Sequence, residues 1–139
     1  QGGNIPDLAA FRSRMLGEYT SLWSEPTCRY LISCYGSKVH EIAKLCREQP
    51  ALNRVLTNSR DTIAAQVVFA AQSESVVHLT DVLFRRTDLC LLGDPGDPVL
   101  NDCAELAAAA LGWSENRRLA ELELVRTELA RSIPAAPNK

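Results

Sequence analysis

The chain has 139 residues, of which 46% are hydrophobic and 23% charged, with a formal net charge of -2. That composition suits one globular domain with one core, and the slightly acidic balance argues against nucleic acid, whose binders carry a clustered basic surface. No apolar run approaches the roughly 18 residues of a spanning helix, and the opening Gln1-Gly2-Gly3 shows neither an initiator Met nor a basic and then apolar leader, so the expectation is a piece of a longer protein.

Residues 1–6 read as a linker. A first helix should start at Pro6–Asp7, because Pro is tolerated in a first turn and Asp suits the positive helix end. Leu8, Phe11, Met15 and Tyr19 form its inward line, and Leu22 and Trp23 plug the connection that follows. Ser24 is a natural N-cap for a second helix with Glu25 and Pro26 in its first turn. Its inward residues are Leu31, Cys34 and Tyr35, and Gly36 ends it. Ser37 then caps a third helix with Val39, Ile42 and Cys46 on one face, stopped by Pro50. A connector follows, with one helical turn at Leu52–Leu56.

Asp61 or Thr62 caps a fourth helix running to about Ser75, and a fifth covers about Leu79 to Thr87. Here two charges fall on faces that should be apolar. Ile63, Val67 and Ala70 recur at helical spacing, and the next residue on that line is Glu74. Leu79, Val82 and Leu83 recur likewise, and the next is Arg86. An inward acid beside an inward arginine suggests an internal ion pair, since a lone buried charge is costly. Asp81 and Arg85 are spaced as an exposed i, i+4 pair. Leu89, Leu91 and Leu92 alternate in a short extended exit to Gly93. Asp97 and Pro98 start a sixth helix with Val99, Cys103, Leu106 and Ala110 inward, ended by Gly112. Ser114 caps a seventh, with Leu119, Leu122, Val125 and Leu129 as its stripe. Its charges, Glu121 and Arg117 among them, read as a solvated face. The fold class is all-α, an irregular or orthogonal bundle of about seven helices over residues 7–131, with 132–139 a frayed tail.

Little else carries chemistry. His40 and His78 lack the partners of a triad or metal site and read as surface or capping residues. The five cysteines show no zinc spacing and read as reduced thiols, which fits a reducing cytoplasm. The glycines form no GxGxxG between strand and helix. Arg85-Arg86 is the one candidate phosphate clamp; the favoured reading assigns Arg86 to Glu74 and Arg85 to Asp81.

The run VVFAAQSE at 67–74, then DVLFRRT at 81–87 and LCLLG at 89–93, resembles the C-terminal helical domain of FAD-dependent glycerol-3-phosphate dehydrogenases and the related glycerophosphate oxidases. GGNIPDLAAF at 2–11, Tyr35-Gly36-Ser37 and AAALGWSENRRLAELE at 108–123 extend the resemblance in order along nearly the whole chain. The chain departs from that pattern at Ser33, where many members carry Arg, at Gln66 and Gln72, where charges are usual and which read here as lost surface charges, and at His78, where Thr is usual. The resemblance implies a parent that oxidises sn-glycerol 3-phosphate to dihydroxyacetone phosphate at FAD and passes electrons to quinone. It places the flavin, substrate and catalytic residues upstream, so that no catalytic, cofactor or metal residue falls on this chain. The implied partners are the flavin and substrate domain of the parent and, in a homodimer, a second copy. The implied location is cytoplasmic, peripheral at the inner membrane face through the parent. Two alternatives stand beside it: the same domain of an oxidase that uses dioxygen, and a stand-alone helical interaction module.

Overall fold

The computed structural model describes residues 7–56, 59, 62–73, 75–90 and 93–132. All the extended elements among them are helical; the only strand-like contact is one isolated antiparallel bridge between Val55 and Ile63.

Helix α1 spans Leu8–Tyr19 and opens on Asp7, whose Oδ1 accepts the Ala10 N–H at 3.0 Å. Phe11, Met15 and Tyr19 are buried, whereas Leu8 lies outside the core, 48% exposed. Helix α2, Glu25–Tyr35, is capped by Ser24, whose Oγ accepts the Thr27 N–H. It buries Cys28, Leu31, Ile32 and Tyr35; Cys34, expected inward, is exposed because it sits one step off that stripe. Gly36 ends α2 with φ 55° and ψ -129°, a region closed to residues with a Cβ. The chain then makes a 3-10 turn, Gly36–Lys38, before α3, Val39–Glu48. That turn replaces the expected Ser37 cap, and α3 has no side-chain cap at its start. Pro50 stops α3 and opens a second 3-10 turn, Pro50–Asn53, two residues earlier than the spacing suggested. This segment is tied back by Trp23 Nε1 donating to Asn53 Oδ1 at 2.9 Å, and by the forked Arg54–Asp102 pair.

Helix α4, Ala64–Ser73, is the centre of the fold. Every residue from Ala64 to Ala71 is buried, where sequence periodicity indicated a single stripe. A helix apolar on all sides belongs inside a bundle, and α4 is packed by α3, α6 and the 50–53 turn. Each fully buried Val or Phe there contributes about 1.5–3 kcal/mol. Helix α5 is one α turn, Leu79–Asp81, running on into a π-helical stretch, Val82–Arg86. After it the chain bends at 87–90 instead of extending; Leu91 and Leu92 lie outside the described residues.

Helix α6, Asp97–Leu111, buries Val99, Leu100, Cys103, Ala104 and Ala107. Its small residues suit close packing on α4. The expected inward Leu106 and Ala110 are only partly buried. Gly112 closes α6 in the left-handed conformation, φ 69°. Helix α7, Glu115–Ser132, starts with Ser114 Oγ accepting the Arg117 N–H at 3.1 Å. It buries Leu122, Val125 and Leu129, while Leu119 is 49% exposed. The segments 1–6 and 133–139 lie outside the described residues. No described helix is long and apolar enough to cross a membrane.

Candidate functional site

Arg86 is exposed, not inward. The reason is the π stretch. An α-helix places residue 86 above 82 and 83, but here the Thr87 N–H bonds the Val82 carbonyl at 2.9 Å, a five-residue step. The wider turn rotates position 86 off the line of Val82 and Leu83. Glu74, the partner assigned to it from sequence, lies outside the described residues. Asp81 and Arg85 are 3.6 Å apart, with Arg85 78% exposed. Asp81 is used chiefly as a cap: its Oδ2 accepts the N–H of His78 at 2.9 Å and of Val77 at 3.2 Å. Burial raises its pKa and those backbone bonds, with Arg85 and His78, bring it below the ordinary carboxylate value.

A buried acid is present on α7. Glu121, expected on a solvated face, has a side chain 2% exposed. Its Oε1 accepts from Arg117 Nε at 2.7 Å and from His78 Nδ1 at 3.0 Å, and its Oε2 accepts the Leu79 N–H at 2.9 Å. A carboxylate only accepts, so His78 carries its proton on Nδ1. Burial pushes Glu121 up, but the Leu79 amide, His78 and Arg117 outweigh it and hold its pKa low. Arg117 also reaches the Val77 carbonyl at 3.1 Å and stacks over Trp113. The available sequence signal was the i, i+4 spacing of Arg117 and Glu121 beside the Leu122 stripe. Both histidines are thus held structurally: His78 by Glu121, and His40 by the Tyr19 hydroxyl.

A second feature went unread in the sequence. Gln66 is 1% exposed rather than a surface residue. Its Oε1 accepts the Ile63 N–H at 2.9 Å, capping α4, and its Nε2 donates to the Tyr35 hydroxyl at 3.2 Å. Gln66 and Tyr35 form the inner wall of a cleft of about 460 Å³, with Lys38, Arg85 and Arg86 around it and Asp88 on its edge. Asp88 Oδ1 accepts the Thr62 hydroxyl at 3.2 Å. Tyr30, also in the wall, has its pKa raised by burial. The cleft contains no histidine, and burial raises the pKa of its one thiol, Cys34. Among the described residues no cluster of His, Cys, Asp or Glu could hold a metal. The lining offers cations and neutral donors, the equipment for holding an anion rather than for moving protons.

Residues 2–118 match the family described as the C-terminal domain of alpha-glycerophosphate oxidase. The chain belongs to this family. The matched span includes the whole cleft and stops at Arg118, three residues before Glu121. Among curated proteins, glycerol-3-phosphate dehydrogenase 2 from Mycobacterium tuberculosis and from Mycobacterium bovis are each 28% identical over 87 residues, 62% of this chain and 15% of theirs. A glycerol-3-phosphate dehydrogenase from Synechocystis is 27% identical over 103 residues, 73% of this chain and 19% of its own. The chain therefore spans less than a fifth of the curated relatives it matches. No solved structure matches it significantly.

Proposed function

We propose that this chain is the helical C-terminal buttress of an FAD-dependent enzyme that oxidises sn-glycerol 3-phosphate to dihydroxyacetone phosphate and delivers the electrons to quinone. The family match over residues 2–118 carries that reading, together with relatives named as glycerol-3-phosphate dehydrogenases. The parent works at the cytoplasmic face of the membrane as a peripheral protein. The domain's partners are the flavin and substrate body of its own chain and, in a homodimer, a second copy.

The described residues do not fit the flavin themselves. A dinucleotide's pyrophosphate needs a glycine-rich turn between a strand and a helix, with amides pointing at it. The one described glycine-rich turn, Gly93 to Gly96, leads into α6 past Asp94 and Asp97. Asp94 Oδ1 already takes the Gly96 N–H at 2.8 Å, and Asp97 stands in the first helical turn. Two carboxylates at that helix start repel a second anion. The work assigned to this chain is to present a rigid helical body, and redox chemistry is assigned to the parent's other domain.

The test compares this chain with the longer protein that carries it. The longer protein should purify yellow, oxidise glycerol 3-phosphate, and reduce a quinone analogue faster than dioxygen. The chain alone should neither take up FAD nor turn over substrate with an artificial acceptor. Saturable FAD binding by the chain alone would overturn the buttress reading, and peroxide as the main product of the longer protein would move the parent to the oxidases.

A further inference from the structure

We infer that the groove between α1 and α2 is the face on which the parent's N-terminal body sits, and that the body inserts there a carboxylate set among apolar side chains, an assignment that rests on the function proposed above.

Helix α1 is held from one side. Of its 12 residues it buries Phe11, Met15 and Tyr19, and it packs chiefly on α2. A helix of this length gains most of its stability from the surface it covers. Leu8, Arg12 and Leu16 follow at i, i+4 and i+8 along the edge of the buried stripe. Leu8 is 48% exposed, Arg12 is exposed, and Leu16 is half-buried against the core. Across from them α2 brings Arg29, Ile32 and Ser33, which with Arg12 and Leu16 enclose a groove of about 180 Å³. That is smaller than the roughly 300–1,000 Å³ of small-molecule sites and suits a single inserted side chain.

Charge selects that side chain. Arg29 donates from Nε and Nη2 to Glu25 Oε1, at 3.0 and 2.7 Å. Among the described residues no acid lies within ion-pair distance of Arg12. An arginine fork is matched by a carboxylate, and the hydroxyl of Ser33 adds a neutral donor. Apolar groups laid over Leu8 and Leu16 would shield the pair from water and strengthen it.

Reach selects the occupant. The chain spans less than a fifth of its curated relatives and matches a C-terminal domain, so in the proposed parent the body lies on the residue-1 side. The match begins at residue 2 and α1 at Leu8, and residues 2–7 extend to at most about 20 Å. A tether that short brings the body to α1 first. Helix α7 beyond Arg118 lies outside the family match, at the other end of the described chain.

Hydroxyl-radical footprinting read by mass spectrometry, on this chain alone and on the longer protein that carries it, tests the face. Leu8 and Leu16 should be modified several-fold more slowly in the longer protein, and Leu124, 46% exposed on α7, at the same rate in both. Arg12→Glu in the longer protein should return Leu8 to the rate seen in the chain alone, and in the chain alone it should leave helical circular dichroism unchanged. Equal rates at Leu8 in the two proteins overturn the docking face. Protection of Leu8 that grows with the concentration of the chain alone gives the face to a second copy and overturns it as well. Leu8 still protected in folded Arg12→Glu overturns the carboxylate. Footprinting needs no turnover: protection in a longer protein without flavin leaves this inference standing while the enzyme reading fails, and turnover without protection does the reverse.

Discussion

Glu121 Oε2 accepts the backbone N–H of Leu79 at 2.9 Å, across 42 residues of sequence. A helix start carries orphan amides that a nearby side chain normally satisfies. In α5 that duty is divided. Asp81 takes the amides of Val77 and His78 from within, and α7 supplies Glu121 for Leu79 from outside. The last helix therefore caps the fifth, and His78 and Arg117 hold the capping carboxylate in place.

Removing that carboxylate should be expensive. Glu121→Ala leaves the buried Leu79 amide without an acceptor, and loses two charge-assisted bonds whose other partners are half exposed and can rehydrate. The expected cost is about 2–3 kcal/mol. Asp81→Ala loses a more exposed cap and should cost about 1 kcal/mol. Urea unfolding of the two variants gives the comparison, and equal midpoints would contradict the division of labour between the acids.

The same carboxylate gives the fold a dependence on acid. The folded pKa of Glu121 is below its ordinary value. A group depressed on folding contributes stability above its unfolded pKa, about 4.3, and loses it as pH falls through the folded pKa. Stability of the native chain should thus decline below about pH 5 more steeply than that of Glu121→Gln, which has no proton to bind there. Thermal midpoints collected over that range test the sign, and parallel profiles would refute it.

Much of this fold can be read from spacing. Asp7, Ser24 and Ser114 are caps because a short oxygen side chain before an apolar-periodic run has little other use, and each accepts the amide three residues on. Gly36 and Gly112 end helices for the same local reason. Legibility fails where a third element intervenes. Glu121 resembles any surface acid until α5 is laid over it. Gln66 resembles a surface residue until α4 is enclosed on every side. Arg86 resembles a core-facing position so long as 3.6 residues per turn is assumed, and nothing local in DVLFRRT announces a wider turn.

Thr87 closes that wider turn twice. Its amide and its Oγ1 both donate to the Val82 carbonyl, at 2.9 and 2.8 Å. Thr87→Val keeps the β-branched shape and removes one of the two bonds. It should cost about 1 kcal/mol and speed hydrogen exchange at residues 86 and 87 selectively. Unchanged exchange at those amides would mean that the hydroxyl has no part in holding the π turn.

Thiol reactivity offers a check on how the helices are turned. Cys28, Cys46, Cys90 and Cys103 are buried, and Cys34 is exposed. Burial pushes Cys46 and Cys90 up to about 11 and Cys103 up to about 12, so at neutral pH these hold almost no thiolate as well as being shielded. Cys34 is raised as well, yet it alone meets solvent. Iodoacetamide on the native chain should therefore add one label, at Cys34, long before any other, and five after denaturation. Early labelling of Cys28 instead would mean that α2 is rotated from the orientation that places Tyr35 on Gln66, and the inner wall of the cleft would be lost with it.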